Sequence, residues 1–260
     1  MAVPVATIVK KVATTLLFSD KETSNKTLVA IGSVVVGIFT PLLLLVATFT
    51  AGFDADSVTS NVQSSIDASS ISQGITSSVT STIIDSSIFA DTSTKNNYDL
   101  VMWAWMAYSN NWGYVWGTYG NILTNSSLHN LALQYPDHVG GEDYYDYIHS
   151  NYIGRRTVDC AGLIKSYMWY DFQEGRFIYG SNNFLDYNTE RMIQAATVKG
   201  PIRTMPDVPG VIVYHKNHVG VYVGNGQVIE AMGTHYGVVI TNLEGSGWTD
   251  WFYVPGLNYV

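Results

Sequence analysis

The chain has 260 residues, 47% hydrophobic and only 13% charged, with a net charge of −8 and a single cysteine. One cysteine excludes an internal disulfide framework. An acidic balance without a dense Lys/Arg cluster excludes nucleic acid as a main partner. The charged fraction lies well below the ~25% usual in soluble domains, so uncharged tracts must dilute it.

Residues 1–26 form a leader carrying Lys10, Lys11, Lys21 and Lys26. The next 27 residues, 27–53, hold no charge at all. A helix over residues 28–51 would cover roughly 36 Å, enough for a ~30 Å hydrocarbon core, and helices in lipid tolerate a proline such as Pro41. Lysines precede this run, whereas Asp54 and Asp56 follow it. That asymmetry predicts a single transmembrane helix in the lipid bilayer of the cell membrane, with the leader cytoplasmic and everything after residue 54 outside. A signal peptide cut after Gly52 is the alternative, but the apolar run exceeds the ~7–15 residues of such segments.

Residues 54–97 change character. Within 57–94 there are 13 serines and 6 threonines, and Phe89 is the sole aromatic. Val58, Val62, Ile66, Ile71, Ile75, Val79 and Ile83 recur at more than four residues on average, so a helical stripe would drift around the surface. The segment reads as a Ser/Thr-rich stalk or linker, with an amphipathic helix packing on a partner as the other reading.

Residues 98–260 hold all seven tryptophans and all six histidines, and are long enough to bury a core. Here lies Cys160. Ala161, Ile164, Tyr167 and Met168 follow it on one helical face, and Asp159 is a good N-cap, so Cys160 should open a helix. At that position the helix dipole and free N–H groups favour a thiolate, with a pKa anywhere from about 3.5 to 7.5. A small buried apolar residue is the competing reading of a free cysteine.

Further on, residues 211–214, 219–223 and 228–232 read as three strands, with a turn signal at Gly224-Asn225-Gly226. His218 begins the second strand and Glu230 lies inside the third. A thiol nucleophile needs a base, and the base needs an orienting acceptor. Cys160, His218 and Glu230 supply the three types. A plain two-residue loop would set Val221 opposite Glu230 and put His218 and Glu230 on opposite faces. A three-residue loop, or an equivalent bulge, sets Gly220 opposite Glu230 and lets His218 and Glu230 share a face. His215, His218 and His235 lack the spacing of a metal motif, so no metal or other cofactor is expected. His129, His138 and His149 read as surface residues.

These residues resemble the NlpC-type papain-like cell-wall cysteine endopeptidases. The likeness runs through Asp159-Cys160-Ala161-Gly162-Leu163, His218-Val219-Gly220-Val221-Tyr222-Val223-Gly224 and Val228-Ile229-Glu230-Ala231. Upstream, Tyr114-Val115-Trp116-Gly117 is similar to the family's Tyr-x-Trp-Gly run, and the match would cover roughly residues 100–260. The resemblance implies an α+β fold with the nucleophile helix packed on a central antiparallel sheet. It also implies hydrolysis of peptidoglycan stem peptides, with Cys160 as nucleophile, His218 as base and Glu230 as its orienting partner. Tyr114, Trp116 and Asp159 would support the site or bind substrate, and acidic clusters would help select cationic cross-link residues. Ala161 stands where many members have serine. Residues 118–156 form a longer interval than usual, rich in tyrosine, read either as a packed helical insertion or as one wall of the substrate groove.

The functional expectation is thus a membrane-anchored peptidoglycan hydrolase, or lysin. By resemblance, a conjugative element's secretion machine or a phage assembly suits it, the latter with a virion-associated location. The alternatives are an amidase or acyltransferase on the same scaffold, or an inactive wall-binding assembly protein.

Overall fold

The computed structural model describes residues 83–260. The expected leader, membrane span and most of the stalk lie outside the described residues. Among the described residues no helix is long and apolar enough to cross a membrane.

Helix α1 (Asn97–Ser109) starts where the Asn96 side chain accepts from the Asp99 N–H. Its buried residues, among them Leu100, Val101, Trp103, Ala104, Met106 and Ala107, leave little polar face. A helix apolar nearly all round belongs in a core, and α1 packs against the main sheet and the cysteine-bearing helix α4 (Cys160–Trp169). One polar link joins the two helices: Trp103 Nε1 donates to Ser166 Oγ at 2.7 Å, and that hydroxyl donates to the Leu163 carbonyl.

The packed region begins earlier than the boundary expected at residue 98. Phe89 is buried, with its ring 4.9 Å from Phe172 and 5.8 Å from Trp103. The Asp99 carboxylate receives the N–H groups of Ala90 (2.6 Å) and Asp91 (2.8 Å). Serine- and threonine-rich composition hid this docking, because one aromatic and one carboxylate accomplish it.

Two short strands, β1 (Gly113–Tyr114) and β2 (Tyr119–Ile122), flank β3 (Arg156–Val158), β1 parallel to it and β2 antiparallel. Between β2 and β3 run α2 (Asn125–Gln134), a π turn (Pro136–Gly140) and α3 (Glu142–Tyr152). This insertion has its own core of Val115, Leu123, Leu128, Val139, Ile148 and Tyr152, against which Tyr135, Tyr145 and Tyr147 pack.

After α4 come the small pair β4 (Tyr170–Asp171) and β5 (Arg176–Phe177), then α5 (Thr189–Ala195). The main sheet is built from β6 (Lys199–Pro201), β7 (Ile212–His215), β8 (His218–Gly224), β9 (Gln227–Gly233), β10 (Gly237–Asn242) and β11 (Asp250–Phe252). Its order is β10-β9-β8-β7-β11-β6, antiparallel throughout. Central β8 is buried from Val219 to Gly224, as a strand covered on both faces must be. Helix α4 packs against β8 and β9, so the expected packing of the Cys160 helix on a central antiparallel sheet is the one observed.

Candidate active site

Asp159 fixes the start of α4. One carboxylate oxygen accepts from the Gly162 N–H at 2.5 Å, and the other accepts from the Gly117 N–H at 2.8 Å. The cap therefore also ties the helix to the turn after β1, and the Asp159 N–H donates to the Thr118 carbonyl at 3.1 Å. Burial raises the Asp159 pKa, while Lys165 and the two N–H donors pull against it. The approach of helix and turn is so close that a Cβ on Gly162 would lie 2.0 Å from the Thr118 oxygen. Gly162→Ala should accordingly lower the thermal midpoint by ~3–10 °C, since backbone on both sides would have to shift. Differential scanning calorimetry checks this, and an unchanged midpoint would contradict the tight contact.

Cys160 is the first residue of α4 and only 6% exposed. Its Sγ lies 3.9 Å from the Asn217 carbonyl oxygen. Val219, turned away from β7 by the alternation of the ladder, directs its N–H to the thiol, as do Ala161 and Cys160 itself. The thiol thus sits against the residues on either side of His218. Burial, followed by the Asp159 charge, pushes the thiol up to about 12, and the three N–H groups only partly offset this. The depressed range expected from the helix start is therefore not realised: desolvation by the covering turn outweighs the helix end.

The sign of the consequence is fixed. A folded-state pKa above the ordinary 9.0 means that the folded chain holds the proton more tightly. The associated stability is complete below pH 9 and is lost as pH rises towards 12, at about 1.4 kcal/mol per pH unit. Denaturant titrations at pH 8 to 11 should show wild type losing stability relative to Cys160→Ala. Parallel curves would overturn the shift.

His218 Nε2 and Glu230 Oε2 are 2.5 Å apart, and Glu230 Oε1 accepts from Thr241 Oγ1 at 2.6 Å. Glu230 is buried at 4% exposure. The ladder pairs Val221 with Ile229 and Tyr222 with Val228, then shifts to pair Gly224 with Gln227. The loop itself has two residues, Asn225 and Gly226, both at positive φ. The extra residue is Val223, so a bulge in β8 sets the register that the shared face of His218 and Glu230 requires. Gly220 keeps the space between them open: a Cβ there would meet Val228 at 2.5 Å and Glu230 Cβ at 3.3 Å.

Tyr114 ends β1 and pairs with Val158 in register, nearly buried. Burial raises its pKa first, then the nearby Cys160 and Asp159 charges, which places its hydroxyl in the same neighbourhood. Trp116 stacks on His138, rings 4.1 Å apart at 13°. Both line a cleft of about 810 Å³ that opens on Cys160 and Asn217. Tyr135 stands on the Trp116 side, and Tyr179, Asp186 and Glu190 also line it. The insertion therefore does both things the sequence left open: Tyr145, Tyr147 and Tyr152 pack, while Tyr135 and His138 line the cleft. His138 is exposed, as expected, yet stacked.

The cleft's carboxylates are occupied by the protein itself. Asp186 binds Lys165 and the Tyr179 hydroxyl, and Glu190 receives the Asn217 N–H at 2.9 Å. Asp159 caps α4. Two residues that sequence reasoning missed stand next to His218. Thr241 orients Glu230, and Trp248 stacks on the His218 ring at 5.6 Å and 12°. Trp248 offered no signal beyond being aromatic, but Thr241 was findable once a fourth strand was laid beside Glu230. Among the described residues no group of three His, Cys, Asp or Glu side chains converges as a metal cluster.

A cysteine opening a helix that packs on an antiparallel sheet, with a histidine–carboxylate pair on that sheet, defines a papain-like α+β domain. Residues 144–256 match the model of the NlpC/P60 family. The match starts later than the expected residue 100, leaving the Tyr114–Gly117 run upstream of it. Solved structures with similarity include NlpC2 from Trichomonas vaginalis, at 16% identity and TM-score 0.38, covering 64% of this chain and 50% of that one. The peptidoglycan hydrolase RipB from Mycobacterium tuberculosis is 18% identical, with TM-score 0.35 and coverage of 63% and 68%. A P60 domain of an M. avium subspecies paratuberculosis antigen is 20% identical, with TM-score 0.35 and coverage of 61% and 96%. The chain spans half the length of the first of these. A search of curated proteins found no match.

Proposed function

We propose that this chain is a peptidoglycan hydrolase that cleaves stem-peptide bonds with Cys160 as nucleophile, His218 as general base and Glu230 as its orienting partner. The observation that carries the reading is the 2.5 Å contact between His218, the first residue of β8, and Glu230 on β9, with the Asn217 carbonyl just before His218 set against the Cys160 thiol. With Nε2 engaged by Glu230, Nδ1 is the nitrogen left to take a proton. Because burial keeps the thiol protonated at rest, the proton moves to His218 as sulfur attacks the carbonyl, rather than from a standing ion pair. The carbon–sulfur bond forms, and the oxyanion faces N–H groups at the start of α4. The protonated His218 then hands its proton to the leaving amine as the C–N bond breaks. Water, losing a proton to His218, hydrolyses the thioester and restores the thiol.

Residues 27–53 serve as the lipid anchor in this reading, which places the domain on the wall side. Support comes from the charge-free run and the lysine-before, aspartate-after flanks. The test is digestion of purified cell walls by the full-length chain, followed by mass spectrometry of the fragments. New amino termini within stem peptides are expected. Cleavage between sugar and peptide would replace the endopeptidase with an amidase, and intact walls would remove the hydrolase reading. Release of the protein from membranes by alkaline carbonate would remove the anchor.

A further inference from the structure

The turn that carries Asn217 is held from outside its own hairpin. His215 pairs with His218, so Lys216 and Asn217 are the two loop residues. Of these only Asn217 has positive φ, at 67°. The twist-matched I′ turn requires positive φ at both positions, and a turn with it only at the second splays the strands it joins. Such a turn needs an external brace. Glu190, in the first turn of α5, supplies one. Its Oε1 accepts from the Asn217 N–H at 2.9 Å, and its Oε2 accepts from the Thr189 hydroxyl at 3.0 Å.

The Asn217 residue therefore bridges two groups. Its N–H is fixed by Glu190, while its carbonyl, 3.9 Å away, is the acceptor against the Cys160 thiol. We infer that Glu190 is a positioning residue: its carboxylate pins the 215–218 turn, and through that turn sets the thiol relative to His218. The inference rests on the reading of Cys160 and His218 as nucleophile and base. Glu190 touches neither the sulfur nor the imidazole among the contacts described, and acts through Asn217.

The experiment compares Glu190→Ala, Glu190→Gln and Glu190→Asp in the full-length chain. Gln keeps a carbonyl oxygen for the Asn217 N–H, whereas Ala removes it. In Glu190→Ala, hydrogen exchange over residues 215–219 should accelerate and kcat for wall-peptide cleavage should fall about tenfold, with KM changed less than twofold. Glu190→Gln should restore both to within about threefold. Glu190→Asp should shift both in the same direction as Ala, by less, because its carboxylate stands one methylene short of the Asn217 N–H. Iodoacetamide alkylation of Cys160 should speed up about tenfold in Glu190→Ala, because the turn that covers the thiol opens more often. Unchanged kcat in a folded Glu190→Ala chain would overturn the inference, as would a Gln variant as impaired as Ala. A wild-type chain that leaves walls intact would sink the hydrolase reading instead. In that event exchange and alkylation decide, and an unchanged Cys160 alkylation rate overturns the inference. Should Glu190→Ala not fold, Glu190→Asp and Glu190→Gln decide it by the same readouts.

Discussion

Cys160→Ala is expected to abolish wall hydrolysis, a loss of about 10⁴-fold or more in kcat, while the fold survives. The chain has no second cysteine to substitute for it. The truncation removes one sulfur atom whose hydrogen bond to the Asn217 carbonyl is long, 3.9 Å, so no strong bond is broken. At neutral pH the thiol is uncharged, so its removal leaves no partner charge stranded. Asp159 even loses an unfavourable neighbour on alkaline titration. The expected pattern is therefore near-native thermal unfolding at pH 7 combined with no release of new amino termini. Cys160→Ser should be almost as inactive, because serine's hydroxyl gives up its proton far less readily in the same dry position. Amino-terminal labelling of digested walls, with circular dichroism of the same preparations, measures both halves. Residual cleavage above about 1% of wild type would assign the chemistry to another group.

The parts of this site that were legible in the sequence are those set by short-range physics. Asp159 before Cys160 announced an N-cap, and a cap is a local bargain between one carboxylate and the N–H groups two or three residues on. β-rich runs and the Gly224-Asn225-Gly226 turn signal marked β7, β8 and β9, and the spacing of His218 and Glu230 reduced their meeting to a question of register. The bulge at Val223 that answered it was foreseeable only as a condition, since a bulge depends on what packs beside the strand. Long-range features were invisible. Asp250–Phe252 inserts between β7 and β6, a placement no local pattern encodes. Trp248 reaches His218, and Glu190 reaches Asn217, from segments with no motif of their own. The thiol's upward shift was missed for the same reason. The helix start is local and was read, but the turn that buries the sulfur arrives from residues 215–218. The pairing of Asp186 with Lys165 and Tyr179 in the cleft is of the same long-range kind.

Removing the Glu230 carboxylate tests whether the histidine must be held. Glu230→Ala should lower kcat by about 10³-fold, and Glu230→Gln by only about tenfold. The difference follows from the hydrogen-bond inventory of the two oxygens. Oε2 faces His218 Nε2 and Oε1 accepts from Thr241. A glutamine has one acceptor and one donor at these places. Its oxygen can still face Nε2–H, because the Thr241 hydroxyl can rotate to accept from the amide instead. The imidazole then keeps its tautomer and orientation, and loses only the charge that stabilises its protonated form. Alanine takes the acceptor from Nε2–H and from the Thr241 hydroxyl in a half-buried site, at a cost of up to about 1–3 kcal/mol each, and frees the ring to turn. Stability and activity should therefore fall together in the alanine variant, but part company in the glutamine variant. Thr241→Val separates the contributions further: it removes one donor to Glu230, keeps the His218 contact, and should cost less than glutamine does. Steady-state kinetics on a defined stem peptide, read beside urea denaturation of each variant, gives both numbers. Glu230→Ala retaining more than a tenth of wild-type kcat would show that Trp248 and the sheet alone hold the ring.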